Sequence, residues 1–171
     1  REIPHPDIAI SINTLVGIYE SQGKYDEALE ESFKVLEMRK KIFGKGSENH
    51  PDIASSYNNI ASLFSRKGKY DEALKYYTRS LEINKKIHRK KNHSDIAATY
   101  NNIALVCYHQ GNYQKALDYY HLSLKMSQEL FPSSLHQLIA ISHNGIGEVY
   151  RTLGNLDKAL DAYQESLKIN K

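Results

Sequence analysis

Apolar residues recur at three- and four-residue spacing along almost the whole chain, in stretches broken by glycine-containing turns. The clearest stretch runs from Asp52 to Lys67, where Ile53, Tyr57, Ile60, Ala61 and Phe64 form one stripe of a helix. Gly68 stops it, because glycine enters the left-handed conformation that ends a helix without a Cβ penalty. A second helix is predicted from about Asp71-Glu72, acidic residues suited to the positive end of the helix dipole. It places Ala73, Leu74, Tyr77, Leu81 and Ile87 on its buried side, with Lys85, Lys86 and His88 in or just beyond its last turn. With only a few residues between them, the two helices must lie antiparallel and in contact.

This pair occurs four times. Gly23-Lys24-Tyr25-Asp26-Glu27-Ala28-Leu29 returns from Gly68, again as Gly111-Asn112-Tyr113-Gln114-Lys115-Ala116-Leu117, and as Gly154-Asn155-Leu156-Asp157-Lys158-Ala159-Leu160. The glycines stand 45, 43 and 43 residues apart. A period of this length marks stacked units, each too small to bury a core alone. The expectation is one array over residues 1–171, in blocks of about 5–49, 50–92, 93–135 and 136–171. Small residues hold fixed slots: Ala28, Ala73, Ala116 and Ala159 on the second helices, and Val16, Ala61, Ala104 and Gly147 on the first. Side chains without bulk at a crossing let two helices approach to the short end of roughly 8–10 Å.

A small residue, an aromatic or apolar residue, glycine, then Tyr-Asp-Glu-Ala-Leu resembles the tetratricopeptide repeat over nearly the whole chain. The connection reads His5-Pro6-Asp7-Ile8-Ala9, His50-Pro51-Asp52-Ile53-Ala54 and His93-Ser94-Asp95-Ile96-Ala97. With the Tyr-Asn-Asn-Ile-Ala segments from Tyr57 and Tyr100, it is similar to the long-repeat kinesin light chain and nephrocystin-like subgroup. The resemblance implies an all-α fold, a right-handed α-α superhelix of four helix-turn-helix repeats with the first helices on its concave wall. Departures are few. Ser32 stands where later blocks have Tyr77, Tyr120 and Tyr163. The fourth block has His136-Gln137-Leu138 in place of His-Pro-Asp, and Gly145 and Gly147 inside its first helix. Each glycine there costs about 1 kcal/mol against alanine, so this block is expected to be the softest.

Composition narrows the function classes. A charged fraction of 25% and a hydrophobic fraction of 40% describe a folded chain, and a net charge of +3 makes no strong case for nucleic acid or an anionic membrane. One cysteine, Cys107, excludes an internal disulfide framework and fits a reducing compartment, so the expected location is cytoplasmic. No apolar run approaches the roughly 20 residues of a membrane span. The chain opens at Arg1 and reads as a fragment of a longer array, with ends open to self-association.

The most suggestive polar feature is a column of amides, Asn13, Asn58, Asn101 and Asn144, each ten residues before its block's glycine, with Asn59 and Asn102 adjoining. The resemblance puts the column in the groove, where amides hold an extended peptide backbone whatever its sequence. The alternative is that these amides only knit neighbouring helices, and both readings stay open. The basic clamp of chaperone-binding relatives is absent from these slots. Arg66, His109 and Arg151 near the groove's expected rim fit either selection of an acidic peptide or charges that are simply solvated. The histidines His5, His50, His93 and His136 recur once per block, too far apart to share a zinc at about 2 Å, so no metal is expected and a role at the helix starts is. Lys85 to Lys91 is the strongest basic cluster, fitting either a solvated helix end or RNA and anionic surfaces. Cys107 sits in an apolar slot and reads as an inert thiol. Tyr76, Tyr108 and Tyr119 are candidates to touch a ligand. No phosphate-cradling glycine loop, Cys-x-x-Cys or Gly-x-Ser-x-Gly motif occurs, so neither an enzyme nor a cofactor is expected. The predicted function is a non-catalytic scaffold binding a peptide segment of a partner protein. The rival readings are a spacer without a ligand and an RNA binder using Lys85–Lys91.

Overall fold

The computed structural model describes residues 6–89, 91–132 and 136–169, and His5 and Lys90 fall outside them. Eight α-helices occupy the described residues: α1 (Pro6–Ser21), α2 (Tyr25–Phe43), α3 (Pro51–Arg66), α4 (Tyr70–Ile87), α5 (Ser94–His109), α6 (Tyr113–Leu130), α7 (Gln137–Thr152) and α8 (Leu156–Ile169). The chain divides after Arg89 into two compact units. The first holds α1–α4 and the second α5–α8, so each contains two of the predicted pairs.

Within every pair three residues join the helices, and the middle one is the repeated glycine at φ 71°, 75°, 76° and 77°. The residue after each glycine donates its N–H back across the helix end: Lys24 to Tyr19, Lys69 to Phe64, Asn112 to Cys107 and Asn155 to Tyr150, all at 2.9 Å. This six-residue closure needs a left-handed residue before the donor, which is why glycine recurs there. The alanines of the second helices are buried against their partners, Ala28, Ala73 and Ala116 completely.

The histidines open the helices. Nδ1 of His50, His93 and His136 accepts the N–H of Asp52, Asp95 and Leu138, each at 3.2 Å. Phe43 stacks on His50 and Phe131 on His136, with ring centroids 3.5 Å apart in both cases. At His50 and His136 the ring thus caps its helix and stacks on a phenylalanine at the end of the preceding one, and the cap is the role that recurs at His93.

In the first unit α2 packs on α3, and α3 on α4. Arg39 ties α2 to α3 by donating Nη1 to the Asp52 carbonyl at 2.9 Å and the Ser56 hydroxyl at 2.7 Å. Where Ser32 replaces the usual tyrosine, its neighbour Phe33 packs edge-on to Phe64 and Tyr76. Leu63 rather than Phe64 takes the deeply buried place in α3.

In the second unit α6 packs on α7, α7 on α8, and α5 also touches α7. A buried hydroxyl recurs at the repeat period. Ser123 donates to the Ala97 carbonyl at 2.8 Å, and Ser166 to the Ala140 carbonyl at 3.1 Å. Gly145 and Gly147 are where tyrosines come close: a Cβ on Gly145 would lie 2.2 Å from Cζ of Tyr120, and one on Gly147 2.8 Å from Cε1 of Tyr163.

Half-buried His143 gives this unit a pH dependence. Burial holds its imidazole below the ordinary 6.5, with His121 adding to the effect and Glu165 opposing it. Because the folded value is the lower one, stability is fully present above about 6.5 and falls as pH drops through the window down to the folded value. Thermal melts across that window should show the decline, and His143→Gln should flatten it. An identical slope in the variant would assign the decline to other groups.

Candidate functional site

The two units carry their first-helix faces separately, and the asparagine column meets a different fate in each. In the first unit α1 and α3 bound a cavity of about 180 Å³. Asn13, Val16, Gly17 and Glu20 line it from α1, and Asn59, Ser62 and Leu63 from α3. Asn13 and Asn59, two of the predicted groove residues, thus share one concavity. A Cβ on Gly17 would meet nothing within 4 Å, so the missing side chain is part of the opening. Asn58, beside Asn59, is half-buried.

In the second unit Asn101 is buried and belongs to the packing. Its Nδ2 reaches the Leu138 carbonyl at 3.5 Å, and its Oδ1 lies 2.9 Å from the Ser142 hydroxyl. That hydroxyl also lies 2.9 Å from the Leu138 carbonyl and 3.2 Å from the Ser123 hydroxyl. Asn101 therefore knits α5 to α7, the role held open beside ligand binding. Asn102 is half-buried and Asn144 exposed. Tyr108 bonds Thr152, oxygen to oxygen, at 3.0 Å, a second polar link from α5 to α7.

The predicted positive groups are not isolated charges. Arg66 Nε pairs with Glu20 across α1 and α3 at 2.7 Å, at the edge of the small cavity. Arg151 pairs with Glu148 at 2.7 Å, and the Tyr163 hydroxyl donates to the same carboxylate at 2.7 Å. Those donors, Arg151 first, hold the Glu148 carboxyl below its usual range. Exposed pairs of this kind add little stability, but they cancel the local field. His109 is exposed, with its ring edge-on to Tyr108. Both faces are of mixed sign.

The sequence reading missed a second concavity of about 220 Å³ against α2, α3 and α4. Lys40, Arg79 and Lys86 surround it with Glu82, above Ile53 and Tyr57. Arg79 lies 5.7 Å over the Tyr57 ring and 5.9 Å over that of Tyr76. Lys40 is paired with Glu37 at 2.7 Å, so carboxylates offset much of this charge too. The only available signal was Arg79 two turns before a helix end, which no pattern rule singles out.

Cys107 is buried and its thiol is pushed up by that burial, which keeps it protonated and inert. Burial also raises Tyr77 to about 12, as expected of a core phenol. Tyr76 stacks on Phe64 at 5.4 Å and Tyr119 lies 5.9 Å from Tyr100, so both half-buried rings take part in packing. No helix among the described residues is long and apolar enough to cross a membrane.

The tetratricopeptide repeat family matches the chain over residues 7–86 and 95–171. The chain belongs to the tetratricopeptide repeat family. Repeat proteins of this family generally mediate protein–protein interactions, and their scaffold is typically non-catalytic. No curated protein matches the sequence. Among solved structures, BtubC (BKLC) from P. vanneervenii is 22% identical with a TM-score of 0.79, over 97% of this chain and 65% of that one. A kinesin-light-chain-type protein from Podosopora anserina, built of nearly identical TPR-like repeats, is 20% identical with a TM-score of 0.73, over 99% of this chain and 78% of that one. At these identities the likeness is one of fold. The tetratricopeptide chain spans 65% of the length of BtubC.

Proposed function

We propose that the chain is a non-catalytic adaptor of the cytoplasm whose first-helix faces hold an extended segment of a partner protein. The observation that carries this reading is the cavity between α1 and α3, where Asn13 and Asn59 face one opening beside the unfilled Gly17 position. Each amide offers donors and acceptors, which suits a peptide backbone, and about 180 Å³ suits one inserted side chain. In the second unit half-buried Asn102 and exposed Asn144 and His109 are the remaining candidates, because Asn101 is committed to the packing. An acidic segment can engage Arg66 or Arg151 only by displacing the carboxylate of Glu20 or Glu148 that already pairs with it.

The test is fluorescence anisotropy with a library of labelled peptides that includes an acidic set, repeated over a range of salt. Saturable binding is expected, weakened about tenfold (roughly 1.4 kcal/mol) by Asn13→Ala with Asn59→Ala. Gly17→Leu should block the same site with no loss of helix, since its Cβ meets no neighbour. Binding that ignores all these changes would overturn the assignment, and a chain that saturates with no peptide would be a spacer. RNA binding through Lys85–Lys91 would instead collapse steeply with salt.

A further inference from the structure

The concavity against α2, α3 and α4 is framed by cations that the helix stack does not require. Lys40 reaches it from the end of α2, and Arg79 and Lys86 from α4. Its floor is Ile53 and Tyr57, both buried. Ser47 closes one side, on a 3₁₀ turn over Ser47–Asn49 that packs on α4. Two repeats on, the second unit carries Gln128, His143 and Glu165 in the places of Lys40, Tyr57 and Arg79. One repeat on, Leu122 and Glu129 of α6 stand in the places of Arg79 and Lys86. The same helix pairs therefore form with neutral or acidic residues at these positions.

Like charges gather at this opening with little to balance them. Among the described residues no carboxylate pairs with Arg79 or Lys86. The Arg79 guanidinium rests instead over the Tyr57 and Tyr76 rings, which hold it in place. The bond to Glu37 raises the Lys40 ammonium, and the Arg79 charge works against that rise, so the two cations feel each other across the opening. The Lys40–Glu37 pair is an exposed one that adds little, and an ammonium with three donors keeps some for a ligand. Among the described residues that line the concavity, Glu82 alone is acidic.

We infer that this concavity binds a phosphate monoester on a side chain of a partner protein, with the phosphoryl group among Lys40, Arg79 and Lys86 and its carrier on Ile53 and Tyr57. A phosphoryl group brings close to two negative charges and three strong acceptor oxygens, one for each cation. The volume of about 220 Å³ lies below the roughly 300–1,000 Å³ of pockets for drug-sized ligands, so it suits one side chain rather than a free nucleotide. An extended RNA or a bilayer would press its charges on Glu37 and Glu82 as well, whereas a single phosphoryl group among the three cations need not meet them. None of these residues lines the cavity of Asn13 and Asn59, so the inference goes beyond the peptide groove and stands or falls apart from it.

Titration of the isotope-labelled chain, followed by its amide NMR shifts, tests this with four probes: the N-acetyl amides of phosphotyrosine, phosphoserine and tyrosine, and inorganic phosphate. At least one phosphorylated amide should saturate, with shifts centred on Ser47, Tyr57 and Arg79, while the tyrosine amide should not and inorganic phosphate should bind more weakly. Arg79→Glu and Lys86→Glu should each lower that affinity about tenfold or more. Both positions are exposed, and the repeat already carries glutamate at their equivalents, Glu165 and Glu129, so helix content by circular dichroism should hold. Asn13→Ala with Asn59→Ala should bind the phosphorylated probe as wild type does. Failure of both phosphorylated amides to saturate, or unchanged affinity in Arg79→Glu, overturns the inference. Inorganic phosphate binding as tightly as the amides would make this a free-anion site and overturn it too. So would saturation only by an RNA oligonucleotide or by vesicles containing a phosphoinositide, which would assign the cations to that surface.

Discussion

Gly145→Ala will destabilise the chain, although alanine is the better helix former. The new Cβ would stand 2.2 Å from Cζ, 2.3 Å from Cε1 and 2.7 Å from Cε2 of Tyr120. That ring is itself buried, so retreat means moving α6 from α7 or forcing the tyrosine off its rotamer. Overpacking of this kind costs about 1–3 kcal/mol, occasionally more. The gain in helix propensity returns about 1 kcal/mol at most, so a net loss remains. A melting temperature lower by a few degrees is expected, at roughly 2–4 °C per kcal/mol for a chain of this size. Gly147→Ala is the internal control. Its Cβ would meet the Tyr163 ring at 2.8–3.0 Å, but that side chain is only half-buried and can yield, so the net change should be near zero. Tyr120→Leu should recover much of the loss when combined with Gly145→Ala, as expected of contacting residues. Equal melts for wild type and Gly145→Ala would show that the ring has room the packing does not suggest.

The same two glycines show where the sequence stops being legible. From local rules they are helix weakeners, and the fourth block is expected to be soft. Their physical role lies in residues on the following or preceding helix, 25 positions away for Tyr120 and 16 for Tyr163, which no local pattern connects. By contrast the turn glycines and buried alanines were readable, because the same constraint acts on them in every block. The α3 stripe was read slightly too narrowly. A first helix that touches both its own partner and the preceding second helix buries a wide arc, so Leu63 is enclosed while Phe64 stays at the edge. The asparagine column was found as a column, but a period fixes register and says nothing of cover. Asn13 and Asn58 are half-buried and Asn144 is exposed, while Asn101 lies beneath α7, because Ser142 and the Leu138 carbonyl stand opposite it.

That divergence makes the second large prediction. Asn101→Ala removes the acceptor of the Ser142 hydroxyl and a donor to the Leu138 carbonyl inside the second unit. Leaving buried polar groups with fewer partners costs about 1–3 kcal/mol, and the void left by the amide adds to it. The Leu138 contact is long at 3.5 Å, so most of the loss should come through Ser142. Ser142 keeps the Leu138 carbonyl at 2.9 Å, which holds the expected loss toward the lower half of that range. Urea unfolding should therefore show a lower midpoint for Asn101→Ala and a further, non-additive change when Ser142→Ala is added. Asn59→Ala, at an exposed position, should stay within about 0.5 kcal/mol of wild type in the same experiment. If peptide affinity then falls for Asn59→Ala and holds for Asn101→Ala under conditions where both are folded, one repeated residue type serves two ends. If Asn101→Ala is as stable as wild type and loses the peptide instead, the knitting role assigned to Asn101 fails.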